Sequence, residues 1–201
     1  MKSLLLALPT LDGRVFPETL LTVIEATNLL GRQFHMLRAS STGVSRVRNE
    51  IMDMLARRNP DARTARVLWV DSDIQLDMPF ARPLADAITA AETGGFGWAA
   101  NYRRGNGQNV CMAENGRPYT DDELRAMAEW APIPYAGLGL AYLDMPLGYR
   151  FHEGADGSGE DANLFRDTGM DLRLCRSLGP VHMKQVAMVG PRTWEGGAQA
   201  G

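Results

Sequence analysis

The chain has 201 residues, 45% of them apolar and 22% charged, with a formal net charge of −3. Such proportions describe a soluble globular protein with a core of its own, and they exclude a disordered tail, a collagen-like fibre and a coiled coil. Cys111 and Cys175 are the only cysteines, which excludes a disulfide framework and points to a reducing compartment, so a cytoplasmic location is expected.

Ser3–Leu8 is an apolar run that meets Pro9. It imitates an export signal, but it is short and lacks a small-residue cleavage site, so it reads as a first buried strand. No apolar run approaches the roughly 20 residues that span a bilayer. Pro17 opens a helix to about Leu30, stopped by Gly31. A second strand follows over Gln33–Ala39 and a turn over Ser40–Gly43. Val44 to about Arg58 is then a strongly patterned helix, with Val44, Val47, Ile51, Met54 and Leu55 on one face. Ala65–Val70 is apolar on both faces, as a central parallel strand should be. Pro79 starts a helix to about Glu92, and Phe96–Asn101 is the next strand. This alternation predicts an α/β fold, a mostly parallel sheet with helices on both faces.

After Asn101 the rhythm breaks. Residues 102–120 are rich in Gly, Asn and Arg, with strand-like pieces near Val110 and Arg117–Tyr119. Thr120-Asp121-Asp122-Glu123 has the pattern of a capping box and opens a helix to about Trp130. Pro134–Leu143 reads as a glycine-interrupted strand, Ser158–Gly169 as a helix, and Leu172–Cys175 and Val181–Val186 as short closing strands. Trp194–Gly201 reads as a frayed tail. The expectation is one domain over residues 1–201.

Charge is divided along the chain. Residues 32–66 hold eight arginines against Glu50, Asp53 and Asp61, whereas residues 71–161 hold fifteen acids against six arginines. That split suits a site taking an anionic ligand on one side and a cation on the other.

The sharpest chemical feature is Val67-Leu68-Trp69-Val70-Asp71-Ser72-Asp73. Four apolar residues drive a strand through the core, and it emerges with two carboxylates one residue apart. Side chains two apart on a strand share a face about 6.5 Å apart. Carboxylates that close repel unless a cation lies between them or one is protonated. Mg²⁺ or Mn²⁺ is the natural partner, a hard ion held by one or two carboxylates and by substrate phosphates. In open α/β sheets, ligands also gather at the carboxyl ends of strands.

Ser45-Arg46-Val47-Arg48-Asn49 lies in the first turns of a helix, a good place for phosphate oxygens. Arg46 and Asn49 are three apart and can act together, whereas Arg48 is expected to point elsewhere. Gly159-Glu160-Asp161 follows a glycine-rich lead-in. Adjacent acids are not expected to share one helix face, so one caps the helix or pairs with an arginine while the other enters the site, where it could take a proton from a hydroxyl. His182 gains meaning only if its strand ends beside the Asp pair, where imidazole could complete a Mn²⁺ shell. His35 and His152 read as structural. Trp98, Trp130, Tyr135 and Tyr142 read as core.

In order and spacing these stretches resemble the small GT-A-fold glycosyltransferases, the family 2-like enzymes of microbial and phage genomes, over about residues 3–186. The resemblance implies a metal-dependent transfer of sugar from a nucleotide-diphosphate sugar, a UDP-sugar favoured, to the hydroxyl of a glycan, a protein or a modified DNA base. It implies that Asp71 lies near the ribose or the metal and Asp73 holds the ion. Pro9 and Thr10 would border the nucleoside, Arg46 and Asn49 would sit by the nucleotide, Asp161 or Glu160 would be the base, and His182 an extra metal ligand. Residues 1–101 would form the nucleotide-binding half, residues 102–190 the acceptor and metal half, and 191–201 the tail. Arg38-Ala39-Ser40-Ser41-Thr42 carries no acid where many members read uracil, which leaves the base open.

Two other enzyme classes and one binding class use similar residues. Haloacid-dehalogenase-type phosphohydrolases carry Asp-x-Asp on their first strand with Thr or Val two residues further on; here that position is Gln75 and the motif comes on the third strand. A nucleotidyltransferase shares the metal logic. A nucleotide- or glycan-binding module would bind donor without turning it over.

Overall fold

A computed structural model describes residues 3–10, 15–40, 43–103, 107–154, 159–178 and, for the backbone alone, 181–183. The expected tail lies outside these residues, as does the chain after Met183.

The front half follows the predicted alternation. Strand β1 (Leu4–Thr10) is followed by helix α1 (Pro17–Leu29), β2 (Phe34–Ser40), α2 (Val44–Arg58) and β3 (Thr64–Val70). Strand β1 lies between β2 and β3 and is parallel to both; Ala7 pairs with Leu37 and with Trp69. Strand β3 is buried along its second half, with Val67, Leu68, Trp69 and Val70 all at 0% exposure. A two-residue strand β4 (Ile74–Gln75) and a 3₁₀ turn at Met78–Phe80 lead into α3 (Ala81–Gly94), and then β5 (Gly97–Ala100) and β6 (Tyr102–Arg103).

The back half contributes α4 (Asp121–Ala126), β7 (Leu140–Pro146), α5 (Glu160–Thr168), β8 (Leu172–Cys175) and β9 (Val181–Met183). Strand order is β2-β1-β3-β7-β5-β8 in the main sheet and β4-β9-β6 in a small second sheet. Strand β7 runs antiparallel to both neighbours, so the chain returns through the middle of an otherwise parallel sheet. Helices cover both faces: α1 packs on α3, and α2 on β1 and β2. The result is an α/β architecture with an irregular back half. None of the described helices is long and apolar enough to cross a membrane.

Three predicted elements come out differently. The strand expected over Pro134–Leu143 begins only at Leu140 and continues to Pro146. A Cβ on Gly139 would lie 2.5 Å from the Tyr102 hydroxyl, so this stretch is shaped by close approach to a ring rather than by pairing. The helix expected to reach Trp130 stops at Ala126, and Trp130 itself adopts φ 66°. Beyond it the backbone runs along the outer strand β8: Trp130 and Ile133 N–H donate to Leu174 and Leu172 carbonyls, and Leu174 N–H donates to Ala131. That contact shields β8 from pairing with other chains. The piece expected near Val110 is reduced to isolated bridges, Arg103 with Asn109 and Met112 with Pro118.

The capping box at α4 is complete. Glu123 N–H donates to Thr120 Oγ1 at 3.2 Å, and Thr120 N–H donates to Glu123 Oε2 at 2.8 Å. Thr120→Ala is expected to cost about 1 kcal/mol, which for a chain this long lowers the thermal midpoint by roughly 2–4 °C; differential scanning calorimetry measures it.

Candidate active site

At the carboxyl end of β3 the chain leaves the core and turns at once. Asp71 N–H donates to the Gly139 carbonyl at 2.8 Å, and Ile74 N–H donates back to the Asp71 carbonyl at 3.1 Å. The turn holds Asp71 and Asp73 at the surface end of the strand, each half-buried. Strand β1 ends beside it. Continuing the β1–β3 register past Ala7 and Trp69 brings Pro9 level with Asp71, and Thr10 is buried with its hydroxyl on the Ala39 carbonyl at 3.4 Å.

The centre of the site is Arg48, whose side chain is 2% exposed. Its Nη2 donates to Asp71 Oδ1 and Oδ2 at 3.4 and 3.3 Å. Its Nη1 donates to Glu160 Oε1 at 2.9 Å and also to Asp161 Oδ1. Asp161 Oδ2 accepts from the Leu138 N–H at 3.2 Å. One guanidinium therefore joins the β3 exit, the start of α5 and the turn before β7. Its carbon lies 5.6 Å from the centre of the Phe151 ring. Asn49 fixes Phe151, donating to its carbonyl at 2.9 Å and accepting from its N–H at 2.8 Å. Beneath the cluster, buried Tyr102 accepts from the Gly139 N–H at 3.0 Å.

Arg48 is thus where sequence reasoning did not place it. Arg46, expected by the nucleotide, is 75% exposed and pairs with Glu50 one turn along. The signal for Arg48 lay in the helical wheel. Position 48 falls three before Ile51 and four before Met52, and the buried stripe of α2 is Val47, Arg48, Ile51, Met52 and Leu55. An arginine inside an apolar arc has to find anions, because burying a charge unpaired is prohibitive. Glu160 and Asp161 also depart from expectation, since both reach the same nitrogen. They are the first two residues of α5, and helical side chains lean toward the N-terminus, where a long guanidinium can meet both. Asn49 serves the cluster through the Phe151 backbone.

His182 is placed by its backbone alone. It pairs with Gln75 in β4 and with Arg103 in β6, so β9 runs beside the segment that follows Asp73.

The electrostatics are lopsided. Asp71, Asp73, Glu160 and Asp161 surround one guanidinium, so the fully ionised cluster carries an excess of three negative charges. Burial, helped by the neighbouring Asp161 and Asp73, pushes the Asp71 carboxyl up to about 6 against the pull of Arg48. Asp73 is raised chiefly by burial. Burial works against the Arg48 charge, but Asp161, Asp71 and Glu160 outweigh it and hold the guanidinium protonated. Tyr102 is pushed well up, by burial and then by Asp71 and Asp161.

These groups fit a divalent cation in charge and in hard oxygen donors. Among the described residues, no three acidic, histidine or cysteine side chains stand close enough to hold an ion by themselves. An ion held by Asp71 and Asp73 would draw its other ligands from water or from a bound phosphate.

Gly139 ties the pieces together, because its carbonyl holds Asp71 and its N–H meets Tyr102. Gly139→Ala drives a methyl group into the Tyr102 ring. We expect a loss of about 1–3 kcal/mol, read from the urea midpoint, with any nucleotide affinity falling as Asp71 shifts.

No protein-family model matches the sequence, and no curated protein matches it. Among solved structures, the chain is similar to a glycosyltransferase involved in the glycosylation of the major capsid of PBCV-1, at 13% identity and a TM-score of 0.31. The match covers 70% of this chain and 59% of that one, so the chain spans about three fifths of its length.

Proposed function

We propose that the protein is a glycosyltransferase that moves a sugar from a nucleotide-diphosphate sugar to an acceptor hydroxyl with the help of a divalent cation. The observation that carries this reading is the carboxylate-rich cluster around Arg48 at the carboxyl end of β3, beside the end of β1. In an open α/β sheet this is where nucleotides bind. The motif order that resembles family 2-like GT-A enzymes supports it.

In this reading Asp71 and Asp73 hold Mn²⁺ or Mg²⁺, which when bound neutralises charge on the departing diphosphate. Pro9 and Thr10 border the nucleoside. Arg48 takes the place first given to Arg46: it keeps Asp71 and the start of α5 in register, so that donor and base face one another. His182 is a further candidate ligand. The base must have a free oxygen. Both Asp161 oxygens already accept hydrogen bonds, from Arg48 and from Leu138. Glu160 uses only Oε1 among the described contacts, so Glu160 is the better proton acceptor and Asp161 positions it.

Incubation with Mn²⁺ and a panel of UDP-, GDP-, CMP- and dTDP-sugars tests the reading. We expect slow donor hydrolysis with one base, releasing free sugar and, for the diphosphate donors, nucleoside diphosphate. Release of sugar 1-phosphate from the diphosphate donors would indicate nucleotidyl transfer instead, and binding without turnover a non-catalytic module. Glu160→Gln should keep donor affinity within about threefold while cutting transfer by 10²-fold or more, in the range of general-base removal. Unchanged transfer in that variant excludes the base role.

A further inference from the structure

The pairings of Arg48 are unequal. Its Nη1 donates to Glu160 Oε1 at 2.9 Å and to Asp161 Oδ1. Its Nη2 lies 3.4 and 3.3 Å from the two Asp71 oxygens, longer than the usual N–H···O bond of about 2.7–3.2 Å. The buried Nε has no acceptor among the described residues. The guanidinium is therefore anchored firmly through Nη1 alone, and turning about that end breaks only the long contacts to Asp71. The Phe151 ring, 5.6 Å from the guanidinium carbon, gives it a flat wall to turn beside.

We propose that Arg48 is a movable counter-charge: its Nη2 withdraws from Asp71 when a divalent cation binds there, while its Nη1 stays on Glu160 and Asp161. This inference rests on the cation-dependent reading of the site. Both Asp71 oxygens already face Nη2, so an ion at Asp71 would share its carboxylate with a second positive charge. Mg²⁺ lies about 2.0–2.1 Å from its oxygens, and like charges sharing one half-buried carboxylate repel strongly. Arginine does not shed its proton in proteins, so movement is what relieves the conflict. Glu160 and Asp161 make that movement affordable, because Arg48 keeps two carboxylates after giving up the third. A bare ion must break the Arg48–Asp71 contacts to bind, and Arg48 thereby keeps the affinity for it low.

The test uses Mn²⁺ alone at neutral pH, with binding read from the loss of the free-ion electron paramagnetic resonance signal. Arg48→Met, kept well below its thermal midpoint, should bind Mn²⁺ about tenfold more tightly than the wild type. Mn²⁺ should also raise the thermal midpoint of that variant by more than it raises that of the wild type. An arginine that only held Asp71 in place would give the opposite sign, weaker binding on removal. A second measurement needs no folded Arg48→Met. In wild type labelled with nitrogen-15 at its arginines, Mg²⁺ should speed exchange of the Arg48 Nη2 protons with water and leave those on Nη1 protected. The signals are assigned by their loss in Arg48→Lys. Equal or weaker Mn²⁺ binding by folded Arg48→Met, or Arg48 signals unmoved at saturating Mg²⁺, would overturn the proposal and leave the cation reading standing. Failure of both the wild type and folded Arg48→Met to bind Mn²⁺ would overturn the two together.

Discussion

Arg48→Met is expected to destabilise the protein strongly. The change keeps much of the side chain's bulk but withdraws the one cation that the described residues place among Asp71, Glu160 and Asp161. Removing one partner of a buried ionic network leaves the others uncompensated and costs about 3–5 kcal/mol, against a total stability of roughly 5–15 kcal/mol for a domain. A fall of about 10 °C or more in the thermal midpoint follows, measurable by scanning fluorimetry near neutral pH. Arg48→Lys should fall between wild type and Met, because one ammonium keeps the charge but cannot span three carboxylates with a planar fork. Acid should partly restore Arg48→Met, by protonating the orphaned acids. A variant as stable as the wild type would mean that the cluster is held by its backbone alone.

Asp71→Asn is expected to move stability and binding in opposite directions. The Asp71 carboxyl lies at about 6 in the folded chain, above its ordinary value of 3.8. Its ionised form is therefore disfavoured by folding. The penalty is fully present above about pH 6 and is relieved as pH falls from there toward 4. Near neutral pH it is on the order of 2–3 kcal/mol, tempered by the lost pairing with Arg48, which keeps Glu160 and Asp161. Asp71→Asn should accordingly raise the thermal midpoint at neutral pH by several degrees and flatten its dependence on pH between 4 and 7. The same change should abolish any stabilisation by Mn²⁺ with a nucleoside diphosphate, which in the wild type grows with ligand excess. Asp73→Ala should lose that stabilisation too. If Asp71→Asn lowers the midpoint and retains the ligand response, Asp71 is an ordinary structural ion-pair partner.

Helix α2 and strand β8 have the bounds read from the sequence alone, because each has clean periodicity and clear breakers at its ends. Strand β3 was as plain, being apolar on both faces. The two-residue strands β4 and β6 are too short to show any period. Gly137 and Gly139 looked like weak points in a strand, whereas they are gaps kept open for the Tyr102 ring, a contact between residues 37 apart that no local pattern carries. The acids at 71, 160 and 161 announced themselves by type. The cation that joins them did not, since an arginine is assigned to solvent by habit; only its position within the apolar stripe of α2 betrayed it.

The reversed strand β7 has a consequence for the order of assembly. During synthesis β1, β2 and β3 are complete once residue 70 has emerged, and they can associate early. Their partner for the free side of β3 is Leu140–Pro146, some seventy residues later. Until it arrives, β5 has nowhere to attach and β3 presents an unfilled row of hydrogen-bonding groups, a condition that invites association between nascent chains. Closing so distant a seam also slows folding. The return of one segment through the centre of the sheet thus leaves the sheet incomplete until residue 146 has been made.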